Sequence, residues 1–152
     1  MEEKNIDKDI LLYIILGTAL LICTVTDLKY KEIYMPVVIA GLLLVLCFHI
    51  WQHNLQFKDM AGTIIVFMLF MAFSAASRGQ LGTGDAFIFA LTGLGLGIMA
   101  NIFIIMFSFI LAFFAAVFLV LVKHKPKNYG MPLAPFVLSS FIIYIAGLYI
   151  QF

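Results

Sequence analysis

The chain has 152 residues, of which 64% are hydrophobic and 11% charged, where a soluble domain carries about 45–50% and about 25%. So little polar surface cannot cover a globule, and the composition predicts an all-α integral membrane protein, one membrane-embedded unit over residues 1–152. Nine Lys/Arg against eight Asp/Glu leave a formal net charge of +1, which excludes the strongly basic face of a nucleic-acid binder.

Uncharged runs mark the spans, because an ionisable side chain is costly at the bilayer centre and about 20 apolar residues cross the hydrocarbon. The first run, 10–26, follows a mixed start (Glu2, Glu3, Lys4, Asp7, Lys8, Asp9) and lacks a small-residue cleavage site. It is therefore expected to stay as a helix rather than leave as a signal peptide. Runs 33–51 and 60–77 suit one helix each, as does 128–152. The run 86–122 contains no Asp, Glu, Lys or Arg, and as one straight helix it would reach roughly 56 Å, nearly twice the hydrocarbon thickness. It must turn back, and Gly95, Gly97 and Asn101 offer the place. A bundle of six transmembrane helices follows, over 10–26, 34–51, 60–77, 85–98, 101–122 and 132–151.

Helix number sets orientation. With six helices, Lys29, Lys31, Arg78, Lys123, Lys125 and Lys127 share one side, and Lys4, Lys8 and Lys58 the other. The richer side is expected to be cytoplasmic, with both termini outside the cell membrane.

Asp27 closes the first predicted helix and Asp85 opens the fourth, inside Leu81-Gly82-Thr83-Gly84-Asp85, so both carboxylates fall at the same boundary. Asp59 falls on the opposite side, and Glu32 in the short basic connection. Two carboxyls within a few ångströms form an acid–base device, because repulsion keeps one protonated while the other is ionised. Such a pair can hydrolyse a peptide without metal or covalent nucleophile. Each residue also has a plainer reading. Asp85 can be an N-cap, Asp27 can pair with Lys29 or Lys31 in a solvated loop, and Gly82 and Gly84 can be a flexible turn.

Other chemistry is poorly provided for. Cys23 and Cys47 sit alone in apolar stretches and read as buried small hydrophobes; His49, Trp51 and His53 read as an interfacial belt, and His124 as a solvated loop residue. Ser74, Ser77, Ser108, Ser139 and Ser140 have no evident base, and Gly93 with Gly97 reads as a helix-packing step. No metal-ligand spacing, phosphate loop or redox motif is present, so neither metal nor cofactor is expected.

Three segments together resemble a known family. Asp27-Leu28-Lys29-Tyr30-Lys31-Glu32-Ile33 looks like the first aspartate motif of the type IV prepilin and preflagellin peptidases, and Gly82-Thr83-Gly84-Asp85 matches their GxGD motif. Met131-Pro132-Leu133-Ala134-Pro135-Phe136 is similar to the Pro-Phe-x-Pro-Phe segment before the family's last helix. The resemblance implies an aspartic endopeptidase that removes the basic leader of pilin-like precursors at the cytoplasmic membrane face. Asp27 and Asp85 would be catalytic, with Gly82, Gly84, Glu32, Pro132 and Pro135 shaping the loops or binding substrate. The chain departs from the family where Ile33-Tyr34-Met35-Pro36 replaces Ile-Pro-Asn, and where Phe87 stands in place of a lysine. It carries no N-terminal CxxC pairs, which by the same resemblance implies a peptidase without N-methyltransferase activity. The alternatives are a presenilin-type intramembrane protease and a non-catalytic scaffold or transporter subunit.

Overall fold

In hydrocarbon every backbone N–H and C=O must be paired within the protein, and a helix achieves this inside one segment. The apolar runs accordingly fold as helices. The structure, a computed structural model, describes residues 3–53, 56–77, 82–121 and 131–150, with side chains from residue 10 onward. Glu2, Arg78, Leu81, Lys123, His124, Lys125 and Lys127, and the side chains of Glu3, Lys4, Asp7, Lys8 and Asp9, lie outside what is described.

Among the described residues there are six helices and no strand: α1 (Glu3–Tyr30), α2 (Met35–Trp51), α3 (Phe57–Ala76), α4 (Thr83–Leu96), α5 (Ile98–Leu121) and α6 (Ala134–Ile150). This is the all-α membrane bundle the composition predicts. Three segments, Ile10–Tyr30, Phe57–Ala76 and Ile98–Leu121, are long and apolar enough to cross a bilayer. Helices α2, α4 and α6 are apolar but have 17, 14 and 17 residues, which at about 1.5 Å per residue gives roughly 26, 21 and 26 Å.

Helix α1 overruns the predicted 10–26 at both ends. Charged residues end an apolar run without breaking a helix, so Asp27 lies within the last turn and not after it. Conversely, the long uncharged run divides at a single residue. Gly97 has φ 83° and ψ 168°, a conformation that only glycine adopts readily, and it separates α4 from α5 without a loop.

The reversal is pinned on both sides. Asp59, from the first turn of α3, accepts the Ile98 N–H at 3.2 Å and so caps α5 from another helix. Asn101 is fully buried; its Nδ2 donates to the Phe89 carbonyl at 3.0 Å and its Oδ1 accepts from Thr92 Oγ1 at 2.8 Å, which staples α5 to α4. Gly93 lies against Asn101 and Thr63, and Gly97 against Asp59. Both glycines therefore bring the chain close to α3, one helical turn apart at Thr63 and Asp59, as their spacing suggests, even though α4 ends just before Gly97.

Helix α4 is central, packing against α1, α2, α3 and α5, while α6 packs on α1 and α5. Its Ile88, Phe89 and Leu91 are fully buried with Leu16 and Leu20 of α1. By contrast Met99, Met106, Phe113, Phe114 and Leu121 of α5 are exposed, as side chains meeting lipid would be. Cys23 is buried as expected, whereas Cys47 lies on an exposed face of α2.

Candidate active site

The α1–α2 connection, the start of α4 and the segment before α6 meet at one end of the bundle. Helix α1 ends through Lys31, which adopts φ 56°, the left-handed conformation that closes many helices. Its N–H donates to the Asp27 carbonyl at 2.9 Å. A side chain other than glycine pays about 1–2 kcal/mol for this conformation, so the turn is held by its surroundings. The chain then runs through Glu32 and Ile33 to Tyr34, the N-cap of α2, and Pro36 falls in the first turn of α2. A missing N–H costs nothing there.

Gly82 is the N-cap of α4, with φ −65° and ψ 135°. Asp85 is thus the third helical residue rather than the cap, and its carboxylate reaches back to the Gly82 backbone N–H. The arrangement is half of a capping box. A Cβ on Gly82 would lie 3.3 Å from Asp85 Oδ2, so a bare backbone leaves room for the carboxylate. Gly84 has a different neighbour. A Cβ there would lie 2.8 Å from both Cβ and Cδ1 of Ile33, so its absence lets the α1–α2 connection rest on the first turn of α4.

Asp27 is 6% exposed, and its Oδ2 accepts the backbone N–H of Ala134, the first residue of α6, at 2.9 Å. The solvated-loop reading of Asp27 is thereby replaced: its carboxylate serves the N-terminus of a helix far along the chain. Both aspartates line one cleft of about 410 Å³, together with Lys31, Glu32, Ile33, Met35, Gly82, Thr83, Gly84, Met131, Pro132 and Leu133.

Of the residues singled out from sequence, Asp27, Asp85, Gly82, Gly84, Glu32 and Pro132 meet at this cleft. Pro135 does not line it and stands instead in the first turn of α6. Phe87 points elsewhere, packing edge-on against Phe67 of α3 at 4.9 Å. Lys31 borders the cleft, while the Lys29 ammonium sits over the Tyr30 ring at 5.2 Å. Ile33, Met35, Thr83, Met131 and Leu133 line the cleft without having an individual role legible in the sequence, and the Ala134 N–H belongs to the backbone, which no side-chain pattern announces.

Fold and site together define a class: an all-α membrane protein with two carboxylates from separate helices facing one cleft at the helix ends. The model of the type IV leader peptidase family matches residues 14–121, from within α1 to the end of α5, and the chain belongs to that family of peptidases. Asp27 and the Gly82–Asp85 segment fall inside the match; Pro132 and Pro135 fall beyond it. No curated protein and no solved structure matches the chain.

Proposed function

We propose that the protein is an aspartic endopeptidase that removes the basic leader from pilin-like precursors at the cytoplasmic face of the cell membrane. The observation that carries this reading is the shared cleft, which carboxylates from α1 and α4 line together. In the chemistry proposed for the pair, one carboxyl works as the base and the other as the acid. The ionised member takes a proton from water, and the water oxygen bonds to the scissile carbonyl carbon. The protonated member gives its proton to the carbonyl oxygen. Collapse of the resulting diol breaks the C–N bond as the leaving amine takes up a proton.

Substrate polarity fits the lining. Glu32 offers a carboxylate to a basic leader, while Ile33, Met35, Met131 and Leu133 offer apolar surface to the hydrophobic segment that follows. Pro132 shapes the same rim. The cytoplasmic assignment rests on the six-to-three bias of Lys and Arg toward the cleft side. A cleft among helix ends favours cleavage at the membrane border over cleavage inside a transmembrane helix.

The reading is tested by co-expressing the protein with a tagged pilin-like precursor that carries a basic leader and sequencing the new N-terminus. Cleavage just ahead of the hydrophobic segment is expected. Cleavage inside that segment would point to a presenilin-type protease, and intact precursor beside well-inserted protein to a scaffold.

A further inference from the structure

Helix α6 begins with a donor account that closes only through Asp27. The first N–H groups of any helix lack partners within it. In α6, Pro135 has no N–H, and Phe136 and Val137 both donate to the Leu133 carbonyl, at 3.0 and 3.2 Å. The remaining donor is Ala134, whose residue is wholly buried. Leu133, which precedes it, has no side-chain oxygen to serve as a cap. Asp27, 107 residues earlier in the chain, supplies the acceptor at 2.9 Å.

We propose that the main-chain N–H of Ala134 is a positioning group for the aspartate pair, an inference that rests on the peptidase reading above. The bond commits Asp27 Oδ2 to α6 and leaves Oδ1 as the oxygen that meets water and Asp85. One hydrogen bond thus caps a helix and sets the rotation of a reacting carboxylate. The pair is oriented by the seating of α6, so the segment 131–134 contributes to catalysis through its backbone. The prolines fit this use: Pro135 removes a competing donor, and Pro132 stiffens the approach to Ala134.

The test uses the full-length protein in lipid nanodiscs, with a leader-bearing precursor peptide as substrate. Ala134→Pro deletes the N–H at a helix position where proline's φ is tolerated, and it should lower kcat at least tenfold with KM changed less than threefold. Ala134→Gly keeps the donor and should restore kcat to within a fewfold of the parent. Unchanged kcat in Ala134→Pro would overturn the positioning role. Should that variant fail to insert, a second pair decides. Asp27→Asn keeps a side-chain oxygen and should melt near the parent protein, whereas Asp27→Leu leaves α6 uncapped and should melt several degrees lower. Equal melting of these two would overturn the cap. If the parent cleaves no leader-bearing precursor, the peptidase reading falls and the positioning role with it, while the melting pair still reports on the cap.

Discussion

Gly84 shows how much of the site depends on the absence of one methyl group. Its hypothetical Cβ would stand 2.8 Å from Ile33, closer than real side-chain contacts permit. Gly84→Ala is expected to push the α1–α2 connection away from α4, lowering thermal stability by about 1–3 kcal/mol and slowing cleavage. Ile33→Ala in the same chain should cost less than the sum of the two single changes, which a double-mutant cycle on melting would reveal. Additive costs would mean that the two residues do not press on each other. The carboxylates themselves were legible in the sequence, since Asp27 and Asp85 were the acids left at one predicted boundary. Their hydrogen bonds were not. Asp85 after glycine reads as an N-cap, yet the cap is Gly82 and Asp85 is the third residue of the first turn. Asp27 bonds a backbone group 107 residues away, and no local pattern announces such a partner.

The element most open to disruption is the junction of α4 and α5. Gly97 holds a conformation outside the reach of other residues, and Asp59 stands where a Cβ would go. Gly97→Ala should therefore destabilise the protein by about 1–3 kcal/mol, read as a lowered melting temperature. The junction lies at the far end of α4 from the cleft, so the folded fraction should keep its kcat. A change in kcat without loss of stability would contradict this division. Here length did what pattern could not. The uncharged run was too long for one crossing, which required two helices, and Gly95, Gly97 and Asn101 then marked where the turn falls. Helix ends were less readable, because polarity defines where a span meets water while capping and packing define where a helix stops. Asp59 read as an outward acid and proves to cap α5 across 39 residues.

For the whole molecule, the starts of α2, α4 and α6 all border the cleft, through Met35, Gly82–Asp85 and Met131–Leu133. Each helix N-terminus carries about half a positive charge, so three such ends face a cleft that holds Asp27, Glu32 and Asp85. Six helices were foreseeable from the uncharged runs; the convergence of three helix starts on one cleft was not, because it depends on how α4 is surrounded. Orientation can be checked directly. With Cys23 and Cys47 replaced, a membrane-impermeant maleimide should label a Gln56→Cys variant in intact cells and a Lys29→Cys variant only in inverted vesicles. Both positions are exposed, at opposite ends of the bundle. The reverse pattern would put the cleft outside.

Most direct of all is the turnover of Asp27→Asn and Asp85→Asn toward a leader-bearing precursor, each compared with the parent at equal membrane content. An amide cannot share or transfer the proton of a carboxyl pair, so both variants should be inserted, folded and inactive. Full cleavage by either one would contradict a mechanism in which the two carboxylates act as a pair.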